Sequence, residues 1–228
     1  MTDTTWKDVD RYLVDLLHKK DDALDHALQA SAAAGLPPIA VTPPGGQLLL
    51  ILARLVGARR ILEIGTLGGY STIWLARAVG AGGLVTTLEL DEKHAKVAAA
   101  NVAYAGLEAI VDIRLGRAAD SLAALHAEGG VPYDMIFIDA DKASIPEYFT
   151  WALRLARPGS LILVDNVIRN GAVIDASSTD PNVIGVRRFN EMLAVEPRVT
   201  ATTIQTVGAK GYDGMTFAIV NASRTDGK

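Results

Sequence analysis

Five short runs rich in β-branched and apolar residues recur along the middle of this chain, at residues 60–64, 84–90, 110–115, 133–138 and 160–164. Stretches with apolar residues at helical spacing separate them, at 71–79, 92–105, 118–127 and 145–156. A chain that passes through a helix before each new strand cannot return by a hairpin, so its strands lie parallel. The run 160–164 is almost wholly apolar, as expected for a strand covered on both faces. The expectation is an α/β, doubly wound, mostly parallel sheet with helices on both faces.

Both ends depart from this rhythm. Trp6, Val9, Tyr12, Leu13, Leu16 and Leu17 recur at helical spacing between charged residues, which predicts an amphipathic helix continued by an alanine-rich stretch to about Ala34. Gly35 and Pro37-Pro38 end it. A loop through Val41 and Thr42 follows, and Pro43-Pro44 can open a helix over 47–56. Beyond the fifth strand come a polar loop at 169–181, a helix at 183–193 and strands at 198–205 and 215–220. With no helix between them, the last two strands form an antiparallel hairpin at the sheet edge, looped near 208–214. There is no linker, repeat or low-complexity segment. The reading is one domain over 1–228, with an N-terminal helical segment at 1–35 and a core at 36–220.

Composition narrows the function. Half of the 228 residues are apolar, 21% are charged, and the net charge is −4. That balance provides a core but no basic face for nucleic acid. The absence of cysteine excludes disulfides, thiolate metal sites and a cysteine nucleophile. The first eleven residues are polar and mixed in charge, unlike a signal peptide, and the apolar run 48–53 is too short to cross a bilayer. A cytoplasmic protein acting on small molecules, without nucleic-acid or membrane partners, is expected.

In an open α/β sheet, ligands bind outside the carboxyl ends of the strands, where strand order reverses. The first such end reads Glu63-Ile64-Gly65-Thr66-Leu67-Gly68-Gly69-Tyr70-Ser71. A dinucleotide fingerprint requires glycine where Leu67 and Tyr70 stand, which disfavours a nicotinamide cofactor. A carboxylate just before the turn suits a ligand with a positive amino group. Glu89 closes the second strand, where it can accept from both hydroxyls of a ribose. The plain alternatives are a tight turn at Gly68-Gly69 and a solvated strand end at Glu89.

The fourth strand ends in Asp139-Ala140-Asp141-Lys142, the fifth in Asp165-Asn166. Adjacent strands lie about 5 Å apart, so Asp139, Asp165 and Asn166 can converge. Two carboxylates and an amide oxygen favour a hard cation such as Mg²⁺. Alternatively, Asp139 caps a helix and Asp165-Asn166 makes a turn. His18, His26, His94 and His126 fall in predicted helices among charged neighbours and read as solvated faces. No Gly-x-Ser-x-Gly elbow is present.

These segments, with the turn at Gly116-Arg117-Ala118 and the closing Gly211-Tyr212-Asp213-Gly214-Met215, resemble the cation-dependent class I O-methyltransferases, the group of the caffeoyl-CoA and catechol O-methyltransferases. The resemblance spans about 36–220. It implies a Rossmann-like class I methyltransferase fold with a seven-stranded sheet, S-adenosylmethionine and Mg²⁺ as cofactors, a catechol-like acceptor and a homodimer. By the same resemblance Val41 and Thr42 close over the donor, Glu63, Gly65, Thr66 and Gly69 shape the methionine end, and Ser71 lies by its carboxylate. Glu89 takes the ribose, Ala118 lies by the adenine and Asp141 faces the donor's amino group. Asp139, Asp165 and Asn166 hold the metal, and Lys142 matches the family's general base; a plain surface lysine is its alternative. Where plant relatives carry an aromatic residue, this chain has Arg169, which suggests a more polar or carboxylate-bearing acceptor. The rival readings are a nicotinamide oxidoreductase on the same architecture, a nucleic-acid methyltransferase and a non-catalytic donor-binding module.

Overall fold

A computed structural model describes residues 3–222; the remaining ends of the expected 1–228 unit lie outside the described residues. Seven strands form one sheet: β1 (Arg60–Ile64), β2 (Leu84–Glu89), β3 (Val111–Leu115), β4 (Tyr133–Ile138), β5 (Ala156–Asp165), β6 (Val199–Gly208) and β7 (Gly211–Val220). Their order is β3-β2-β1-β4-β5-β7-β6, parallel through β5, with β7 antiparallel to both β5 and β6. Strand order reverses between β1 and β4, and the crevice above that pair is the ligand position expected of such a sheet.

The helices are α1 (Asp3–Leu17), α2 (Asp22–Ala33), α3 (Pro43–Leu55), α4 (Tyr70–Val79), α5 (Glu92–Tyr104), α6 (Ala118–Ala127), α7 (Ile145–Leu155) and α8 (Pro181–Val195). Side chains alternate across a strand. Leu62, Ile64, Ile136 and Ile138 therefore face α7 and α8, where Phe149 and Phe189 meet edge to face at 5.2 Å. Ile61, Met135, Phe137 and Leu163 face α3 and α4, against Leu49 and Leu75. Every residue of β4 is buried, which accounts for its unbroken apolar character apart from Asp134. The Asp134 carboxylate accepts from the amides of Arg59 and Arg60 and from the Arg157 guanidinium, and so ties the lower ends of β1, β4 and β5 together.

The expected N-terminal helix is two helices. Asp21 caps α2 by accepting from the amides of Ala23 and Leu24, and its other contacts are to Arg77 of α4 at 2.5 and 3.0 Å. Cap and ion pair fix a break that apolar periodicity alone could not reveal. His18 falls in this break, outside any helix. Strands β6 and β7 run longer than expected and are joined through Ala209-Lys210 alone, with Gly208 paired to Gly211. The polar segment after β5 contains a short 3₁₀ turn, Arg169–Ile174, in which Arg169, Asn170 and Gly171 have positive φ. Among the described residues no helix is long and apolar enough to cross a membrane.

Candidate active site

The carboxyl ends of β1 and β4 approach so closely that a Cβ on Gly65 would lie 2.4 Å from the Asp139 carbonyl oxygen. With φ of 103°, Gly65 occupies a backbone region that L side chains rarely enter. Bare backbone at this point lets the Ile64 carbonyl accept from the Asp139 amide at 2.9 Å, carrying the sheet ladder into the site. Beyond Gly65 the loop is braced from β2. One Glu89 carboxylate oxygen accepts from the amides of Thr66 and Leu67, at 3.2 and 2.8 Å, and the other from those of Leu90 and Asp91. His94 Nδ1 stands 3.5 Å from the same group. His94 lines the cavity, which corrects its reading as a solvated helix face.

A cavity of about 640 Å³ opens above these strand ends. Val41, Gly65, Thr66, Ser71, Glu89 and Ala118 line it, and Asp139, Asp141, Lys142 and Asn166 complete the expected residues in its wall. A second cavity, of about 600 Å³, lies toward the β6–β7 hairpin and contains Thr42, Asp165 and Lys210. Val41, Asp139, Asn166 and Arg169 belong to both. Thr42 faces the second cavity and also caps α3, accepting from the Gly45 amide.

Two more residues expected at the donor do not line the first cavity. Glu63 is fully buried behind the first cavity, because its position in β1 points it at the start of α4. Its carboxylate accepts from Ser71, Thr72 and Thr87 hydroxyls at 2.6, 2.5 and 2.7 Å. Burial pushes its pKa up to about 7, against the opposing pull of those three hydroxyls. Glu63 meets the cavity wall through Ser71 and, by way of Thr87, through Thr66. Gly69 is also absent from the wall: it starts α4 with φ of 79°, and a Cβ there would sit 3.3 Å from Ala98.

The chemistry-bearing residues follow β4 and β5. Lys142 is buried, and its Nζ lies 2.7 Å from Asp139 Oδ1, which sets aside the plain surface lysine. Asp141 caps the turn at Lys142–Ser144 through the Ser144 amide and accepts from the Tyr148 hydroxyl at 2.5 Å. Burial and the Asp141 charge push the Tyr148 phenol up, so it remains a donor. Asp165 accepts from the Asn166 amide at 2.8 Å. Burial, and then the neighbouring Asp139 charge, raise its pKa to about 7. Among the described residues no group of three His, Cys, Asp or Glu side chains converges. A metal here would therefore rest on two carboxylates and the Asn166 amide. Those hard oxygens fit Mg²⁺.

Sequence reasoning missed Tyr148, Lys210, Asp213 and the cavity position of His94. Tyr148 and His94 lie seven and five residues after the acids they meet, a spacing that could have flagged them. Asp213 and Lys210 come from the distant hairpin, and only the tertiary fold brings them in. The Asp213 Oδ1 accepts from the amides of Ile168, Arg169 and Gly214.

Residues 17–220 match the O-methyltransferase family. The chain belongs to this family. A catechol O-methyltransferase of Niastella koreensis is 54% identical over 220 residues, 96% of this chain and 100% of that protein. The O-methyltransferase from Bacillus cereus, solved in complex with SAH, superposes with a TM-score of 0.95 at 54% identity, covering 96% of this chain and 100% of its own. The O-methyltransferase TomG from Streptomyces achromogenes, in complex with SAM, gives 0.94 at 53% identity, covering 97% and 100%. This O-methyltransferase has the class I, Rossmann-like fold expected from its sequence, and the oxidoreductase reading is set aside.

Proposed function

We propose that the enzyme moves the methyl group of S-adenosylmethionine to one hydroxyl of a catechol-like acceptor. The observation that carries this reading is that two cavities meet at Asp139 and Asn166, with Lys142 beside them. A donor in one cavity and an acceptor in the other would face each other there, and rate would follow from holding the reacting atoms at contact distance. The SAM- and SAH-bound relatives support the donor, and the catechol-named relative supports the acceptor class.

In the first cavity, Glu89 accepts from the ribose hydroxyls in exchange for some of its loop amides, with Ala118 by the adenine. Ser71, Asp141 and the backbone at Gly65 and Thr66 hold the amino-acid end, and Val41 covers the sulfonium. Asp139, Asp165 and Asn166 would hold Mg²⁺, which supplies a fixed positive charge that orients the acceptor oxygens and favours their ionised form. Lys142 Nζ, as the neutral amine once the cation has taken over Asp139, would take the proton of the attacking hydroxyl. The oxygen then bonds to the methyl carbon while the carbon–sulfur electron pair returns to sulfur, leaving S-adenosylhomocysteine. The homodimer is proposed on the apolar face of α1, where Tyr12, Leu16 and Leu17 are exposed.

The test is a methyl-transfer assay over a catechol panel with and without EDTA. Activity is expected to vanish on chelation, to return with Mg²⁺ and to be lost in Asp139→Ala. Full turnover in EDTA would refute the metal role. A failure to methylate any catechol would refute the acceptor class.

A further inference from the structure

The second cavity contains two cations to which the transfer step assigns no work. Lys210 stands in the two-residue turn between β6 and β7. The residue is exposed, yet its Nζ turns inward and donates to the Ala40 carbonyl of the segment leading to α3. Among the described residues Lys210 has no ion-pair partner. Arg169 reaches the same cavity from the turn after β5. Its Nε is buried with no hydrogen-bond partner among the described residues. Its Nη1 lies 4.0 Å from Asp213 Oδ2, longer than the roughly 2.8 Å of a charge-assisted hydrogen bond.

Of the acids that line this cavity, Asp165 accepts only the Asn166 amide, and the others are engaged. Asp139 pairs with Lys142, and Asp213 accepts three backbone amides through one oxygen. Asp10 of α1 accepts from the Ala209 amide and thereby holds the hairpin turn over the cavity. Burial of the ammonium pulls the Lys210 pKa down, and attraction to Asp139 and Asp165 opposes that shift. A cation bound at the acids would cancel most of that attraction. What remains at the outer end of the cavity is one ammonium and one incompletely partnered guanidinium, a suitable pair for an anion.

We propose that the second cavity selects catechols bearing a carboxylate, with Lys210 and Arg169 holding that group while the two hydroxyls face Asp139, Asp165 and Asn166. The inference rests on the catechol reading above and assigns its acceptor class. Arg169 was suspected from its place in the sequence; Lys210 emerges only from the fold. Lys210 exchanges the Ala40 carbonyl for the carboxylate when the acceptor enters.

The test compares 3,4-dihydroxybenzoate with 3,4-dihydroxybenzamide, a neutral compound of nearly the same shape, using the full chain with S-adenosylmethionine and Mg²⁺. The wild type is expected to favour the benzoate by about tenfold or more in kcat/KM, the scale of one charge-assisted contact. In Lys210→Met that preference ratio falls about tenfold, carried by KM rather than kcat, and Lys210→Arg restores most of it. Calorimetric titration of benzoate into the SAH-loaded protein should show the same order of affinities without turnover. Equal losses on both acceptors in Lys210→Met would make Lys210 a mere latch on Ala40 and overturn the proposal. An indifferent wild type, or an unchanged ratio in both Lys210→Met and Arg169→Gln, would overturn it as well. Methylation of neither compound, nor of catechol itself, would remove the underlying acceptor reading and this inference with it.

Discussion

Gly185 lies in the second turn of α8, where the helix crosses the turn that carries Lys142. A Cβ built there would be 2.2 Å from the Lys142 carbonyl oxygen and 2.7 Å from the Ala143 Cα. Ordinary contact needs more than 3 Å, and both obstructing atoms are backbone, so no rotamer change can relieve the clash. Gly185→Ala must therefore separate α8 from the turn by on the order of 1 Å. Alanine favours a helix over glycine by about 1 kcal/mol, whereas overpacking costs about 1–3 kcal/mol. The net effect is therefore destabilising, with melting lowered by a few degrees. The larger effect is on catalysis, because the displaced turn carries Lys142 away from Asp139. Misplacement by about 1 Å at a reacting centre can cost about a hundredfold. The expected result is a 10- to 100-fold loss in kcat with a smaller loss of affinity for S-adenosylhomocysteine, since α8 brings Asn182 to the donor cavity whereas Glu89 and the glycine loop follow β2 and β1. Stopped assays for kcat, calorimetry for the donor product and thermal melts separate these quantities. A variant with native kcat would show that the turn tolerates displacement, and the positioning argument would fail.

Two further perturbations probe the walls of the donor cavity. Folding raises the Glu63 pKa from 4.5 to about 7, so the folded state holds this proton more tightly. Stability should then fall as pH rises through that window, by about 3 kcal/mol in all. Urea denaturation at pH 5 and pH 8 should show a flatter dependence in Glu63→Gln, and parallel slopes would dismiss the assignment. Glu89→Gln replaces one of two accepting oxygens with an amide donor that confronts backbone N–H groups, so donor affinity should drop about 10- to 100-fold by calorimetry. Undiminished binding would mean that Glu89 neither braces the loop nor meets the donor.

Much of this architecture could be read from residue order, because the signals are local. The boundaries of α6 and β4 follow directly from composition and flanking turns. The Gly65 turn, Glu89 and the acids after β4 and β5 announce themselves at strand ends, where parallel sheets place ligands. What escaped depends on distant pairs. Asp21 breaks the N-terminal helix because Arg77, on another helix, is there to meet it. Glu63 resembled a ligand contact because it precedes a glycine turn. The hydroxyls of Ser71, Thr72 and Thr87 that enclose it come from two elements, and only packing brings them together. Lys210 falls in the expected hairpin loop, and it reaches the site only because β7 lies between β5 and β6 and carries the hairpin tip across the acids.

The two sides of the site are built to different tolerances. Residues 139–142 are clamped between two glycines. Gly65 admits the Asp139 carbonyl from the β1 side, and Gly185 admits the Lys142 carbonyl from α8. Both contacts are backbone on backbone, so the position of Lys142 relative to Asp139 leaves almost no room for variation. The outer wall of the second cavity is different. It is assembled from the 36–42 segment, the hairpin turn and α1, joined by single contacts such as Lys210 to Ala40 and Asp10 to Ala209. On the proposed reading, a substitution at Lys210 or Arg169 is expected to change what the cavity accepts without moving a backbone atom of the clamp. Acceptor choice is therefore expected to respond to single side chains on the outer wall, while the transfer step responds to the two glycines.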